Sequence, residues 1–411
     1  MIDYGLIGKK LGHSFSKIIH NQIADYKYDL IELTSDGLRE FMTKKDFKAV
    51  NVTLPYKQEV IPYLDEMSDA AKAIGAVNCV KCINGKLIGH NTDFDGLFAL
   101  TKHMGLNLSG KKVLILGTGG TSDTAMAVCN FLSVGSIHKV SRSGKDGSLT
   151  YEEATTTYNN AQIIINTTPL GMYPDNYSSP IDLKNFKNLE GVIDVVYNPL
   201  RTPLVSQALS LGIKAQGGLY MLIAQAVRAS EFFVGNHYDD SVIEEVFERL
   251  TKEKTNIVLT GMPASGKSTI GKCLAKALNR DFIDTDKLVE AKTGMSISKI
   301  FETYGEEYFR NLETDAVLDA AKNCGAVIAT GGGVILKEKN ISALKQNGII
   351  FFVDRELSKL IPTKSRPTAL NKEAIKKRYD ERYHIYRDTC NCVIDNNGTL
   401  DDVVNKILEV F

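Results

Sequence analysis

Ile257-Val258-Leu259-Thr260-Gly261-Met262-Pro263-Ala264-Ser265-Gly266-Lys267-Ser268 is an apolar, β-branched run that breaks into a glycine-bounded loop ending in Lys-Ser. In strand–loop–helix order, GxxxxGK[ST] is a phosphate cradle. Backbone N–H groups wrap the phosphates, the lysine neutralises their outer oxygens and the hydroxyl reaches a magnesium ion. On this reading Gly261, Ala264, Ser265, Gly266, Lys267, Ser268 and Thr269 bind ATP, Lys267 acts on the transferring phosphoryl group, and Ser268 is a ligand of Mg2+. The fold expected around it is α/β with a parallel sheet, and the loop does not name the phosphoryl acceptor.

Upstream stands a second glycine turn of a different kind, Gly117-Thr118-Gly119-Gly120-Thr121-Ser122, after Lys112-Val113-Leu114-Ile115-Leu116. Such a turn lets backbone N–H groups approach a pyrophosphate and aims the positive end of the following helix at it. Ser122 replaces the third glycine of GxGxxG, and an αβ turn without a ligand reads much the same. The next strand is followed by Ser141-Arg142-Ser143, where an NAD site places an acidic residue. A cation flanked by hydroxyls suits a 2′-phosphate and hence NADP(H), the bland alternative being a solvated arginine. Asp123 would repel a pyrophosphate if it faced the site.

The chain has 411 residues, 43% of them hydrophobic, enough for two or three cores. Lys plus Arg and Asp plus Glu are both 49, so no basic field attracts nucleic acid or an anionic membrane. Small-molecule partners are expected, with a homodimer as the candidate assembly. No apolar run approaches the ~18 residues of a membrane span, and Met1-Ile2-Asp3-Tyr4-Gly5 lacks the blocks of a signal peptide, so the expected location is cytoplasmic. Seven cysteines, an odd number, suggest reduced thiols. Cys79-Val80-Lys81-Cys82 has CxxC spacing, but no second pair completes a zinc set, and alternating strand residues explain it better.

Periodicity predicts strands at 111–116, 136–140, 162–166 and 192–196, then helices at 219–234 and 240–250. Polar residues 251–256 read as a linker, after which strand signals recur at Ile257, Phe282, Val327, Ile349 and Val393. The expected domains are 1–100 together with about 218–250, a dinucleotide domain at 101–217, the linker, and a second α/β unit at 257–411.

Four motifs make the N-terminal part legible: Gly8-Lys9-Lys10-Leu11-Gly12-His13-Ser14-Phe15-Ser16, Asn51-Val52-Thr53-Leu54-Pro55-Tyr56-Lys57, Gly75-Ala76-Val77-Asn78 and Asn91-Thr92-Asp93-Phe94-Asp95-Gly96. In this order, over about residues 1–250, they closely resemble shikimate dehydrogenase. The resemblance implies a two-lobed α/β substrate domain plus a Rossmann NADP domain. It implies that Ser14 and Ser16 hold the substrate carboxylate, that Asn51, Thr53, Asn78 and Gln225 reach the ring hydroxyls, and that Lys57 and Asp93 are the catalytic pair. As hydride reaches a ring ketone, charge grows on oxygen, and an ammonium can stabilise it and donate a proton. On the residues alone, the ordinary reading is favoured: Lys57 as a solvated lysine and Asp93 as a turn or cap. Tyr197 aligns with a family tyrosine beside the substrate, Gly218 and Met221 with positions near the nicotinamide, and Asn166 and Thr167 with a cofactor-side turn. The NADP set is then Gly117, Gly119, Gly120, Thr121, Ser141, Arg142, Ser143, Asn166, Thr167, Gly218 and Met221. Relatives carry a further basic residue four positions after Arg142, where this chain has Asp146 and, one residue earlier, Lys145.

Beyond the P-loop, Phe282-Ile283-Asp284-Thr285-Asp286, Gly305-Glu306-Glu307-Tyr308-Phe309-Arg310, Ala329-Thr330-Gly331-Gly332-Gly333 and Arg382-Tyr383-His384-Ile385-Tyr386 resemble shikimate kinase across residues 256–411. The resemblance implies that Asp284 acts on Mg2+ through water, that Asp286 is the base for the acceptor hydroxyl, and that Arg310, Arg382 and Gly331-Gly332-Gly333 grip the acceptor. Either aspartate reads equally as a helix cap, and either arginine as a partner in a surface ion pair. Ser365-Arg366-Pro367 resembles a lid that brings Arg366 onto the ATP phosphates. Lys359 stands where some relatives carry an adenine-stacking arginine.

Shikimate, the product implied for the first half, is the substrate implied for the second. The expectation is a bifunctional enzyme that reduces 3-dehydroshikimate with NADPH and phosphorylates shikimate with ATP and Mg2+. The alternatives are a quinate/shikimate dehydrogenase fused to the kinase, or a catalytically silent ligand-binding regulator.

Overall fold

Three sheets, six-, five- and five-stranded, arise from the β-branched runs, and amphipathic helices cover their faces. The computed structural model describes every residue except Met1, His13 and 362–371, so Arg366 and its Ser-Arg-Pro motif lie outside the described residues. The chain forms two compact units, Met1–Leu250 and Thr251–Phe411. Among the described residues no helix is long and apolar enough to cross a membrane.

The first unit opens with β1 (Ile2–Gly8), α1 (Ser16–Ile23), β2 (Tyr28–Glu32), α2 (Ser35–Lys44), β3 (Phe47–Val52), β4 (Glu66–Met67), α3 (Asp69–Ile74), β5 (Cys79–Ile83), β6 (Lys86–His90) and α4 (Asp93–His103). Its sheet order is β2-β1-β3-β5-β6-β4; β1 runs parallel to β2 and β3, while β5 is antiparallel to β3 and β6. One face buries Ile7, Val50, Val52 and Val80 against Leu38 and Met42 of α2. The other sets Leu6, Ala49 and Cys79 against Ala229 and Phe233, which come from later in the chain. Cys79 and Cys82 lie three apart on β5 and so point to opposite faces, which excludes a shared metal. None of the seven cysteines is in a disulfide.

The second sheet comes from β7 (Lys112–Leu116), α5 (Gly120–Phe131), β8 (Ser136–Val140), α6 (Tyr151–Thr156), β9 (Ile163–Asn166), β10 (Gly191–Asp194), α7 (Pro203–Ser210) and β11 (Lys214–Gln216). It is wholly parallel in the order β11-β10-β9-β7-β8, so connections leave β7 and β9 in opposite directions and open a crevice at their C-terminal ends. β10 stops at Asp194, two residues short of the expected end, because the Asp194 carboxylate accepts the Val196 N–H at 3.0 Å and turns the chain. From β11 the chain returns to the first lobe in α8 (Leu219–Val234) and α9 (Ser241–Lys254). Residues 251–254, expected in the linker, instead finish α9: Thr-Lys-Glu-Lys holds no breaker, and the Thr255 hydroxyl donates to the Thr251 carbonyl at 2.7 Å.

The second unit runs β12 (Asn256–Thr260), α10 (Lys267–Leu278), β13 (Phe282–Asp284), α11 (Thr285–Thr293), α12 (Ile297–Ala321), β14 (Val327–Ala329), α13 (Glu338–Asn347), β15 (Gly348–Asp354), α14 (Lys372–Thr389), β16 (Cys392–Asp395) and α15 (Leu400–Val410). Its parallel sheet is ordered β13-β14-β12-β15-β16, which puts β12 at the centre and the P-loop above it. Gly305 breaks α12 with φ +83°, a conformation that costs a β-carbon residue dearly.

Candidate active sites

In the first unit the catalytic candidates converge where β1, β3 and β5 meet α4 and α8. Lys57, in the turn after β3, donates from Nζ to Oδ2 of Asp93 at 2.7 Å, and Asp93 is nearly buried at the first position of α4. The turn carrying the lysine is held in place because its carbonyl accepts the Val77 N–H at 2.8 Å. Asn91 shapes the start of α4: its side chain donates to the Ala76 carbonyl at 2.8 Å and accepts the Asp93 N–H at 2.9 Å. Asn78 then ties the pieces together. Its amide nitrogen donates to Asp93 Oδ1 at 3.0 Å, Thr92 Oγ1 at 3.1 Å and Gln225 Oε1 at 3.2 Å.

Asn51 projects from β3 beside this cluster, its amide nitrogen 3.3 Å from the Asn78 carbonyl and 3.2 Å from Cys79 Sγ. Tyr28 donates to Asn51 Oδ1 at 2.7 Å, which fixes the amide the right way round. His20 stacks on Tyr28 with ring centroids 4.0 Å apart and bonds the Tyr26 hydroxyl at 2.6 Å; burial holds its pKa down at about 3, so it stays neutral. Tyr28 and His20 are not foretold by the sequence, because nothing in their spacing from Asn51 announces the order β2-β1-β3. A Cβ at Gly96 would lie 2.6 Å from the Met221 carbonyl, so glycine lets α4 approach α8 closely enough for Gln225 to reach Asn78.

Ser14 and Ser16 adjoin one another, hydroxyl to hydroxyl at 3.1 Å, at the start of α1. The Tyr197 ring lies 5.4 Å from that of Phe15, between the two serines in sequence, and burial raises the pKa of its phenol. Thr53 sits at the end of β3, its backbone N–H bonded to the Ile7 carbonyl at 3.0 Å. Gly218 caps α8 so close to the Val195 carbonyl that no Cβ fits, and Met221 is buried one turn further on.

The glycine turn occupies the crevice between β7 and β9. Gly117 has φ +111°, and a Cβ there would meet Thr167 Oγ1 at 2.7 Å, so the turns after the two strands touch. Cβ atoms added at Gly119 or Gly120 would meet nothing within 4 Å, leaving the backbone before α5, which continues through Thr121, open to a pyrophosphate. Ser122 bonds the Gly119 carbonyl through its hydroxyl at 2.6 Å, stitching the loop where the third glycine is missing. Asp123 is answered by Lys139 at 2.6 Å, so its charge is compensated locally. Ser141 bonds Ser148 at 2.8 Å and shapes the loop on which Arg142 and Ser143 stand exposed. Asn166 donates to Asp194 at 2.9 Å, fixing the β9 end of the crevice. This set fits a dinucleotide with a 2′-phosphate.

In the second unit the P-loop curls over its own lysine. Lys267 Nζ lies 2.9 Å from the carbonyls of both Gly261 and Met262, and Gly266 caps α10 with φ +90°. Asn396 braces the loop by donating to the Ser265 carbonyl at 2.5 Å. Ser268 Oγ donates to Asp284 Oδ2 at 2.7 Å, while Asp284 Oδ1 accepts the N–H groups of Asp286 and Lys287 at 3.1 and 3.4 Å. Asp284 is therefore both a helix cap and half of a hydroxyl–carboxylate pair. One hydroxyl and one carboxylate suit Mg2+, which keeps most of its shell as water and phosphate.

The glycine triplet forms a floor for which the neighbouring side chains leave no room for Cβ atoms. One at Gly331 would lie 2.5 Å from Asp286 Oδ1 and 2.8 Å from Glu313 Oε1; one at Gly332 would meet Pro263 of the P-loop at 2.9 Å; one at Gly333 would run into the Arg310 guanidinium. Arg310 bonds Glu313 at 2.8 Å and Glu306 at 2.7 Å; burial works against its charge, but the two carboxylates outweigh it and raise its pKa. Arg382 is buried and donates to the Gly332 carbonyl at 3.0 Å, which also accepts the Tyr386 hydroxyl at 2.6 Å. Two guanidinium groups, two carboxylates and a P-loop thus share one glycine turn.

A family model for the shikimate dehydrogenase substrate binding domain matches residues 6–80, and one for shikimate kinase matches residues 263–411. Shikimate dehydrogenase (NADP(+)) of Clostridium perfringens strain 13 is 36% identical over 270 residues, covering 60% of this chain and 97% of that protein. Shikimate kinase of Clostridium botulinum strain Eklund 17B is 45% identical over 162 residues, covering 38% of this chain and 98% of that protein. Among solved structures, shikimate dehydrogenase 1 of Peptoclostridium difficile matches with a TM-score of 0.57 at 33% identity, covering 61% of this chain and 98% of that one.

Proposed function

The chain belongs to the shikimate dehydrogenase family in its first unit and to the shikimate kinase family in its second, and from that premise we propose how its own residues divide the two reactions. It is a bifunctional shikimate-pathway enzyme that uses NADP(H) in one half and ATP with Mg2+ in the other.

In the reductive half, Lys57 is the proton donor: its ammonium faces the ring oxygen on which charge accumulates and hands over a proton as the C–H bond forms. NADPH, when bound, supplies the hydride. Asp93 orients Lys57 and shares the substrate hydroxyl, and Asn78 keeps Asp93 in register. Asn51, Thr53, Asn78 and Gln225 bind ring hydroxyls, Ser14 and Ser16 the carboxylate, and Tyr197 closes the carboxylate side. The observation that carries this reading is the Lys57–Asp93 pair at 2.7 Å, with the other Asp93 oxygen held by Asn78 at 3.0 Å. A solvated lysine or a simple cap would need neither bond.

In the second half, Asp286 takes the proton of the acceptor hydroxyl, while Arg310 and Arg382 fix the acceptor carboxylate in two planar forks. Lys267 and the loop N–H groups orient the phosphates, and Ser268 with Asp284 holds the metal and its water. ATP and Mg2+, when bound, supply the phosphoryl group and its charge neutralisation. Support comes from the crowding of Asp286 and Arg310 over Gly331 and Gly333, beside the loop that carries Lys267. Seven cysteines outside any disulfide accord with a reducing, cytoplasmic setting, and the balanced charge with small-molecule partners.

Incubation with 3-dehydroshikimate, NADPH, ATP and Mg2+ tests the whole. Oxidation of NADPH together with shikimate 3-phosphate by mass spectrometry is the expected result. Bound ligands without turnover would favour the silent regulator, and faster oxidation of quinate than of shikimate would favour the quinate alternative.

A further inference from the structure

One cation near the P-loop has no part in the reaction as described so far. Arg355 follows β15 directly, and its Nε is buried with no hydrogen-bond partner among the described residues. Its Nη1 lies 3.9 Å from where a Cβ of Gly266 would stand, and Asn396 Nδ2 lies 3.2 Å from the same point. Gly266 is the cap of α10, so the guanidinium borders the ring of N–H groups that receives phosphate.

The segment is firmly placed. The Asp354 carbonyl accepts the Asn396 N–H at 2.7 Å, its carboxylate accepts the Tyr383 hydroxyl at 3.0 Å, and the Glu356 N–H donates to Asn397 at 3.1 Å. Nearby carboxylates are engaged elsewhere: Glu356 with Lys359 at 3.6 Å, and Asp395 with Asn397 at 2.5 Å. Lys359 is held by Glu356 and by the Asn397 carbonyl at 3.4 Å. A buried guanidinium N–H without an acceptor is costly, and only an in-plane acceptor removes that cost; an aromatic ring stacked on its face would not. Phosphate oxygens are such acceptors, and they pair with arginine in a fork.

We propose that Arg355 is a nucleotide-phosphate ligand of the kinase site, a cation additional to Lys267 that reaches the phosphate chain at the cap of α10 from the end of β15. The proposal rests on the kinase reading and adds a residue to it. It assigns Arg355 to the phosphates and not to the adenine ring.

The test compares the full chain with its Arg355→Ala and Arg355→Lys variants. It measures ADP and inorganic tripolyphosphate binding by calorimetry, kinase KM for ATP and for shikimate, dehydrogenase activity and melting temperature. Arg355→Ala is expected to weaken ADP and tripolyphosphate by the same factor, roughly 10- to 100-fold, as for a lost charge-assisted bond. The KM for shikimate and the dehydrogenase should stay within about twofold. Unchanged ADP affinity overturns the proposal, as does a loss confined to ADP with tripolyphosphate unaffected, which would assign Arg355 to the base. If Arg355→Ala does not fold, Arg355→Lys decides: weaker binding of both ligands at an unchanged melting temperature supports the proposal, and full affinity overturns it. A wild-type chain that binds ADP without phosphorylating shikimate would remove the kinase reading while leaving the binding comparison valid.

Discussion

Lys57 and Asp93, thirty-six positions apart in sequence, share a hydrogen bond of 2.7 Å across the junction of a β-strand turn and a helix start. The pair is anchored from both sides, the lysine through its carbonyl to Val77 and the aspartate through Asn78 and Asn91. Neither side chain can turn away without breaking a bond of the other element, so the ammonium stays aimed at one point. That is the preorganisation that proton donation to a developing alkoxide requires.

The first prediction follows from the separateness of the two units. Lys57→Ala should lower reduction by about 100- to 10,000-fold, the usual share of a general acid, and leave the kinase unchanged. Lys267→Ala should do the reverse. Both rates are read on one preparation, and loss of both in either folded variant would contradict independent sites.

Tyr28 provides a second. With Tyr28→Phe, Asn51 Oδ1 loses the donor at 2.7 Å that sets the amide's orientation. A hydrogen bond lost at this half-buried amide is worth about 0.5–1.5 kcal/mol, so KM for 3-dehydroshikimate should rise about two- to tenfold. Its kcat should change little, since Lys57 and Asp93 are untouched. A fall in kcat at constant KM would refute the positioning role.

What could be read in advance divides by range of interaction. The P-loop, the glycine turn and the Asp284 cap are local devices, in which spacing along the chain dictates the geometry. Asp123 was read as a threat to the pyrophosphate because its partner, Lys139, comes from the next strand and no local rule pairs them. Arg355 reads as an ordinary strand-end arginine until the sheet order sets it beside Gly266. β10 ends two residues before its apolar pattern does, because the Asp194 carboxylate folds the chain back, which the pattern alone does not announce. Residues 251–256 looked like a linker by polarity alone, although four of them belong to a helix whose exposed face is naturally polar.

The Asp123–Lys139 pair separates two effects on the cofactor. Arg142→Ala should erode NADPH use by roughly 10- to 100-fold while sparing NADH, as for a lost charge-assisted bond to a 2′-phosphate. Lys139→Ala should instead raise KM for both dinucleotides alike, because it frees a carboxylate in the first turn of α5. Equal losses of NADPH and NADH use in Arg142→Ala would detach that arginine from specificity.

Asp194 gives a pH dependence with a definite sign. Burial lifts its carboxyl to about 6, against the pull of Thr202, Val196 and Asn166. The folded form therefore holds the proton more tightly than the unfolded chain. This contribution is complete below the unfolded value of about 4 and is lost as pH rises through about 6, amounting to on the order of 3 kcal/mol. Asp194→Asn should flatten that loss. Amide exchange in β9 and β10 between pH 4 and 7 reports it locally, and identical slopes in both proteins would show that Asp194 does not titrate there.

The glycine floor of the kinase site allows two neighbouring substitutions to be told apart. A methyl group at Gly331 would press on Asp286 Oδ1 at 2.5 Å and Glu313 Oε1 at 2.8 Å, whereas one at Gly332 would press on Pro263 at 2.9 Å. A contact that short must be relieved by movement. A side-chain carboxylate can swing aside, but the pyrrolidine ring of Pro263 is fused to the loop backbone and takes the loop with it. Gly331→Ala should therefore lower kcat by about 100-fold through a displaced base and leave ADP affinity near wild type. Gly332→Ala should chiefly weaken ADP, because the cradle's N–H groups no longer converge. Calorimetry with ADP and steady-state rates at saturating ATP decide between them, with the dehydrogenase of the same chain as the internal standard. Equal loss of ADP binding in both variants would show instead that the triplet acts as a single rigid support of the P-loop.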